Sequence, residues 1–175
     1  MAELEEVGVL LRSLRGVWDE DAVDELDHAL QTAARATDDG ADDELVLAAA
    51  LHDLAHSPLF GDIETAHHER IAEDWLTPRF GERVGWLAGA HVAAKRYLVA
   101  TDAGYATTLS DVSVDSLHHQ GGPGIDPAFV EHTWWPDALR LRRYDDAAKE
   151  PGGVALPIDE VLVIAERLVR QRVSP

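Results

Sequence analysis

A histidine–aspartate doublet, His52-Asp53, closes a run of small and apolar residues near the first third of the chain. Residues 45–50 are all leucine, valine or alanine, and they predict a helix that is buried on every side. Polar side chains at the end of a buried helix need partners. A divalent metal would satisfy both, because imidazole offers a nitrogen ligand and a carboxylate can bridge two ions. The simpler alternative is that the two residues pair with each other or cap the helix.

Other residues of ligand type recur on separate predicted helices, as they do when a metal site is built in the core of a bundle. Five segments contribute them: His28, His52 with Asp53, His68, His91 and Asp145. Four imidazoles and two carboxylates without sulfur suit iron, manganese, zinc or nickel, and two ions rather than one. His28 and His91 could instead be core histidines, and spacing alone does not separate Asp145 from Asp146.

Composition limits the possible partners of the protein. The 175 residues predict one domain over 1–175, with its core at about 20–150. The formal net charge of −18 argues against nucleic acid and anionic membrane surfaces as partners. The chain has no cysteine, no apolar run long enough to span a membrane and no pattern of a signal peptide. A cytoplasmic location is therefore expected, and the oligomeric state is left open.

Hydrophobic periodicity favours helices, and no stretch alternates as a β-strand does, so the predicted class is all-α. The first predicted helices cover residues 4–14, a stretch from a cap at Asp19 or Asp21 to about residue 36, and a stretch from Asp42 or Asp43 to the doublet. The next run from Thr65 to residue 76, over 84–98 and over 111–117. The last are a short helix from Pro127, one after Pro136 and one over 158–169. Residues 121–124, Gly-Gly-Pro-Gly, predict a flexible loop that could lie over a pocket. The remaining histidines, His67, His118, His119 and His132, are assigned to the surface or to loops.

These motifs resemble those of the HD-domain metalloproteins, and more closely the HD-domain oxygenases of phosphonate breakdown, which are related to myo-inositol oxygenase. The likeness covers roughly residues 20–150 and rests on these segments: Ala50-Leu51-His52-Asp53, His68-Glu69, His91-Val92-Ala93-Ala94-Lys95-Arg96-Tyr97-Leu98, Gln120-Gly121-Gly122-Pro123 and Arg142-Arg143-Tyr144-Asp145-Asp146. The doublet alone is weakly specific. The segments at 91–98 and 120–123 together are strongly specific.

The resemblance implies an HD-domain helical bundle that holds a mixed-valent Fe(II)/Fe(III) pair. By position, the ligands of the first iron would be His28, His52, Asp53 and Asp145, and those of the second His68 and His91, with Asp53 as the bridge. The substrate-binding positions of the family fall on Lys95, Ser113 or Ser116, Gln120 and Arg142, with His56 and Lys95 nearest the chemistry. The implied reaction uses O2 to split the carbon–phosphorus bond of a small 1-hydroxyphosphonate, giving phosphate and a carboxylate.

One departure from the family bears on the substrate. Its best-known members carry a tyrosine and a glutamate upstream of the first histidine, and these cap the iron and meet the amine of the substrate. By spacing, the matching positions are Trp18 and Asp21. An indole cannot ligate iron as a phenolate does, but it can hold a trimethylammonium group through a cation–π contact. A substrate with a quaternary ammonium, or without an amine, is therefore expected, unless Trp18 is only a packing anchor.

The sequence leaves two alternative functions to be considered. A metal-dependent HD phosphohydrolase, acting on a small phosphate ester through a metal-activated water, would use a similar ligand set. A binding module derived from the same fold would be expected to have lost ligands, and none of the six is missing here.

Overall fold

The computed structural model describes residues 2–18, 22–61 and 67–173. Within these ranges the regular structure is helical and contains no strand, so the all-α prediction is confirmed. The helices are α1 Ala2–Ser13, α2 Glu25–Asp38, α3 Asp43–Leu51, α4 His68–Phe80, α5 Glu82–Thr101, α6 Ala103–Ala106, α7 Asp111–His119, α8 Pro127–Val130, α9 Trp135–Ala147 and α10 Ile158–Val173. Short 3₁₀ turns cover Leu54–His56 and Pro58–Phe60. None of the helices in the described ranges is long and apolar enough to cross a membrane.

Helix α3 lies at the centre of the bundle. Every side chain from Leu45 to Leu51 is buried, and α2, α5, α9 and α10 all pack against this helix. Its N-terminus is capped by Asp42, whose carboxylate accepts a hydrogen bond from the backbone N–H of Leu45, one of the two caps predicted. Because α3 is surrounded, the residues at its C-terminal end are delivered to the interior of the protein.

Helices α4 and α5 are joined by Gly81 alone and pack closely on each other. Two glycines of α5 allow this approach. A Cβ at Gly85 would lie 2.0 Å from the hydroxyl oxygen of Thr77, and one at Gly89 would lie 2.4 Å from a carboxylate oxygen of Glu73. The close packing holds the start of α4 beside the middle of α5.

The predicted cap of α2 at Asp19 or Asp21 is wrong, because the helix begins at Glu25 with Asp24 as its N-cap. The Asp24 carboxylate accepts hydrogen bonds from the backbone N–H groups of Gly16 and Asp27, so it fixes the turn after α1 as well as the start of α2. Asp19 and Asp21 themselves lie outside the described residues.

Other boundaries differ by a few residues. Ser110 caps α7, and Asp111 is its first helical residue. Pro78 lies inside α4, which continues to Phe80 instead of ending before the proline. Helix α9 begins at Trp135 and takes Pro136 into its first turn, where the missing N–H costs nothing. Helix α6 was not predicted, and the start predicted at Thr65 lies outside the described residues.

Candidate metal centre

The end of α3 places His52 in the interior with one ring nitrogen already used. His52 is completely buried, and its Nδ1 donates a hydrogen bond to the carbonyl oxygen of Ala49 at 2.9 Å. Because a carbonyl only accepts, this contact puts the proton on Nδ1 and leaves a lone pair on Nε2. A histidine held in this way is oriented as metal-ligating histidines are.

His91 and His28 are held by the same kind of contact. The Nδ1 of His91, in the middle of α5, donates to the carbonyl oxygen of Ala88 at 2.6 Å. The Nδ1 of His28, on α2, donates to the carbonyl oxygen of Ala148 at 3.0 Å, just beyond the end of α9. Both side chains are buried, so three helices present a lone pair on Nε2 to the same interior region.

The carboxylate of Asp53 lies between two pairs of histidines. Its Oδ2 is 3.0 Å from the Nε2 of His52 and 3.6 Å from that of His28. Its Oδ1 is 3.2 Å from the Nε2 of His68 and 3.4 Å from that of His91. Each oxygen therefore faces its own pair of ring nitrogens, which is the arrangement of a carboxylate that bridges two ions.

The second carboxylate of the centre is Asp145. Its oxygens lie 3.4 Å from the Nε2 of His28 and 3.6 Å from the Nε2 of His52. The neighbouring Asp146 points elsewhere, because its carboxylate accepts hydrogen bonds from Tyr105 and Arg142. Of the two candidates that spacing could not separate, the structure brings Asp145 to the histidines.

The polar atoms of this cluster fit a pair of metal ions. The Nε2 of His52 and the Oδ1 of Asp53 are buried and have no hydrogen-bond partner in the described part of the chain, which is costly without a cation. Burial lowers the pKa of His52, but the Asp53 and Asp145 carboxylates outweigh it and raise the pKa to about 10, so without a metal ion a proton on Nε2 takes the place of the metal. Burial lowers the pKa of His91 well below its usual value. The two carboxylates therefore stabilise a cation among the histidines, and nitrogen and oxygen donors without sulfur suit iron, manganese, zinc or nickel.

Three potential ligand atoms, one each from His28, His52 and Asp53, all lie within 4.8 Å of one another. The same holds for a second group of three atoms, from Asp53, His56 and His68. The second group adds His56, whose Nε2 is 3.9 Å from the Oδ1 of Asp53. His56 follows the doublet in a 3₁₀ turn, so its ring lies beside that of His68, with 5.0 Å between the ring centroids. It therefore borders the centre.

A cavity of about 230 Å³ opens beside the centre. All the substrate contacts predicted from the described residues line it except Trp18: His56, Lys95, Ser113, Ser116, Gln120 and Arg142. Lys95 lies one helical turn beyond His91, and its Nζ donates a hydrogen bond to the hydroxyl of Ser116 at 2.8 Å. Burial and the nearby charge of Arg142 lower the pKa of Lys95 to about 8.

Arg142 joins the centre to the cavity. Its Nη1 donates to the Oδ2 of Asp145 at 2.7 Å, its Nε donates to the hydroxyl of Tyr105 at 3.1 Å, and its Nη2 bonds Asp146. A guanidinium has five N–H groups, and the contacts within the described residues use three of them. Tyr105 completes the network by donating to Asp146 at 2.6 Å. Arg142 thus orients Asp145 as well as lining the cavity.

Several residues of the cavity wall were not predicted to be part of the site: Glu25, Val112, Asp115, His119 and Lys149. Lys149 matters most, because its Nζ donates to the hydroxyl of Ser113 at 3.0 Å. Helix α7 therefore presents two hydroxyls, one turn apart, each bound to a lysine. The available signals were the basic residue four positions after Asp145, and the position of Glu25 one turn before His28.

The structure does not bring Trp18 to the cavity wall. Its side chain is 64% exposed, and it is absent from the described residues that line the cavity. Asp21 lies outside the described residues. His119 is exposed, as predicted, but it also lines the cavity and was not predicted to belong to the site.

The helical bundle and its buried His/Asp cluster define an all-helical metalloprotein. No family model matches the chain, but individual proteins do. It is 38% identical over 145 residues to a hydroxymethylphosphonate dioxygenase of Gimesia maris, covering 76% of this chain and 71% of that protein. It is 35% identical over 132 residues to a [1-hydroxy-2-(trimethylamino)ethyl]phosphonate dioxygenase (glycine-betaine-forming) of Leisingera caerulea, covering 70% of this chain and 67% of that protein. An uncharacterised protein, L432, of Acanthamoeba polyphaga mimivirus is 32% identical over 146 residues, with 77% and 67% covered. The chain belongs to the phosphonate dioxygenase family.

Proposed function

We propose that this protein uses O2 to cleave the carbon–phosphorus bond of a small 1-hydroxyphosphonate, releasing phosphate and a carboxylate. One observation carries the proposal beyond family membership. A cavity with three basic side chains, Lys95, Arg142 and Lys149, opens directly on the His/Asp centre. In a chain with a net charge of −18, these three side chains supply the positive charge that a phosphonate dianion requires.

The cations and hydroxyls of the wall would bind the phosphonate oxygens. Lys95 with Ser116, and Lys149 with Ser113, form two lysine–serine pairs on the α7 side of the cavity. An ammonium has three N–H donors and a guanidinium five, so the three side chains together can bind several phosphonate oxygens. Such contacts would fix the phosphorus end of the substrate and turn its hydroxylated carbon towards the centre.

The residues of the centre would hold two iron ions. His28, His52 and Asp145 would bind one ion, His68 and His91 the other, and Asp53 both. When bound, an Fe(II)/Fe(III) pair supplies the activation of O2 and the binding of the substrate hydroxyl. His56 borders both the second group of ligand atoms and the cavity, so its ring can accept the proton that the hydroxyl gives up.

The composition of the cavity wall favours a substrate without a trimethylammonium group. Among the described residues of the wall, Val112 is the only apolar side chain and no tryptophan, tyrosine or phenylalanine is present. A trimethylammonium group would lack the aromatic contact that usually holds it. Of the two substrates in the names of the relatives, hydroxymethylphosphonate therefore fits the described wall better.

The test is phosphate release from hydroxymethylphosphonate by protein purified and loaded with iron without oxygen, measured with and without O2. We expect phosphate only when O2 is present, with a matching uptake of O2. A phosphate ester of similar size serves as the control for the phosphohydrolase alternative. Hydrolysis of the ester without O2, together with no O2-dependent release from the phosphonate, would contradict the proposal. His52→Ala should abolish release by removing a ligand.

A further inference from the structure

One arginine holds the glycine-rich loop after α7 against α5. The Nε of Arg96 donates a hydrogen bond to the carbonyl oxygen of Gly122 at 2.8 Å. The backbone carbonyl of the same arginine accepts one from the N–H of Gly124 at 3.1 Å. The loop is also tied to its own helix, because the N–H of Gly122 bonds the carbonyl oxygen of Leu117 at 2.9 Å. Arg96 thus contacts the loop through both its side chain and its backbone.

The glycines of the loop leave the space that the guanidinium occupies. A Cβ at Gly124 would lie 2.8 Å from the Nη2 of Arg96, closer than real side chains come. Gly121 and Gly122 have φ angles of 93° and 72°, in the region that only glycine adopts readily. A loop of this composition has many conformations open to it, and the contacts of Arg96 select one.

The residue that begins the loop is a wall of the cavity. Gln120 is the C-cap of α7, and it lines both the cavity beside the metal centre and a second cavity of about 300 Å³. Arg96 and Gly121 line the second cavity. The carboxamide oxygen of Gln120 is buried and accepts no hydrogen bond from the part of the chain that the structure describes. Gln120 therefore presents an unpaired oxygen at the cavity, and the loop that Arg96 contacts follows it directly in the chain.

We propose that Arg96 is a positioning residue, which fixes the 121–124 loop on α5 and thereby holds Gln120 against the substrate. The role of Gln120 in this proposal rests on the proposed function, whereas the hold of Arg96 on the loop does not. Because Arg96 lines the second cavity and not the one beside the metal centre, it acts on the binding of the substrate and not on the chemistry that follows. The two segments that are most specific to the family, 91–98 and 120–123, meet in this contact.

The test compares four variants of the iron-loaded enzyme: Arg96→Ala, Arg96→Lys, Gly124→Ala, and the double variant of Arg96→Ala with Gly124→Ala. We expect Arg96→Ala to raise KM for hydroxymethylphosphonate by about tenfold while kcat stays within about twofold, since uniform binding is lost. Lysine should restore part of the loss. Gly124→Ala should raise KM in the wild-type background, because its methyl group displaces the guanidinium.

In the Arg96→Ala background, Gly124→Ala should have no further effect, because nothing remains for the methyl group to displace. Additive effects of the two changes would overturn the proposal. Arg170→Ala is the matched control, since Arg170 is an exposed residue of α10 that pairs with Glu166 and lines neither cavity.

A second measurement does not depend on activity. Amide hydrogen exchange of the peptide that contains residues 121–124 should speed up in Arg96→Ala and in Gly124→Ala, and stay unchanged in the control. Unchanged exchange in both variants would overturn the hold of Arg96 on the loop, whatever the enzyme turns over. Faster exchange in a protein that is inactive on every hydroxyphosphonate would instead keep the loop contact and reject the proposed function and the role of Gln120.

Discussion

The Nε2 atoms of His68 and His91 lie 3.0 Å apart, and the Oδ1 of Asp53 is 3.2 Å from the first and 3.4 Å from the second. The Nδ1 of His91 already carries a proton for Ala88, so its Nε2 offers a lone pair. Two ring nitrogens and a carboxylate oxygen at such distances repel one another unless a proton or a metal ion lies among them. Without a metal, a proton between the two rings satisfies this half of the centre, and a metal ion would take the place of that proton.

We expect two metal ions per chain after anaerobic loading with iron. His91→Ala should keep about one, because the ligands on the side of His52 stay intact, whereas Asp53→Ala should lose both. Elemental analysis of the loaded and desalted proteins measures this. One equivalent or less in the wild type would contradict the two-ion centre. Thermal unfolding with and without iron should show the greater shift in the wild type.

The two neighbouring aspartates provide a matched pair of variants. Asp145→Asn should lose metal, because it weakens a ligand that faces His28 and His52. Asp146→Asn should keep its metal, because that carboxylate faces Tyr105 and Arg142. Metal content of the two proteins, measured side by side, decides the assignment. Metal loss in Asp146→Asn alone would reverse it.

Removal of the Lys95 ammonium should weaken the binding of the substrate without releasing metal. Lys95→Ala is expected to lower kcat/KM by roughly 10- to 150-fold, since a charge-assisted hydrogen bond is worth about 1.5–3 kcal/mol. Ser116→Ala should cost less, because the ammonium that it orients is still present. Steady-state kinetics at a fixed metal content give both values. Unchanged kinetics in Lys95→Ala would show that the phosphonate binds elsewhere.

The same lysine predicts a pH dependence. Its pKa is lowered to about 8, chiefly by burial, and the ammonium form, which binds an anion, is the form present below that pKa. The value of kcat/KM should therefore be at its maximum below pH 8 and fall as the pH rises through 8. Lys95→Arg keeps its charge over this range and should lose the fall. The ionisation of the substrate is common to both proteins, so identical profiles would contradict the assignment.

Substrate preference tests the position of Trp18. Because its side chain is 64% exposed and the described wall has no aromatic side chain, we expect hydroxymethylphosphonate to win a competition against its aminomethyl- and trimethylammoniomethyl-substituted analogues. Trp18→Ala should leave this order unchanged. A preference for the trimethylammonium compound that disappears in Trp18→Ala would show that the indole reaches the substrate, through a contact worth about 0.5–2 kcal/mol.

The sequence predicts the buried helix of the centre well and its other ligands only with help. Residues 45–50 leave no polar face, so the burial of α3 and of His52 follows from composition alone. His28 and His91 were ligand candidates from their residue type and their places on separate helices, but only the resemblance to a family favoured ligands over ordinary core histidines. Their orientation depends on the carbonyl groups of Ala148 and Ala88, and no sequence pattern encodes a contact across 120 residues.

What the sequence missed depends on tertiary contacts. Asp24 caps α2, and its carboxylate also accepts a hydrogen bond from the N–H of Gly16 in the turn after α1. This second contact is not visible in the sequence, so the prediction of Asp19 or Asp21 as the cap was wrong. Tyr105 lies on a four-residue helix with no periodicity to reveal it. Its role, like that of Lys149, appears only when α9 and α7 come together around the cavity.

The three basic side chains of the cavity lie within a strongly acidic protein, and the charge of the whole protein affects the rate at which an anionic substrate arrives. With a net charge of −18, the field outside the protein repels a phosphonate on approach. Added salt screens that repulsion, since the Debye length is only about 10 Å at 0.1 M ionic strength, but it screens short and partly buried contacts much less. Moderate salt should therefore increase the rate of substrate arrival and leave the bound contacts nearly unchanged. Asp115→Asn, which removes an exposed carboxylate at the edge of the cavity, should increase the arrival rate in the same direction and reduce its dependence on salt.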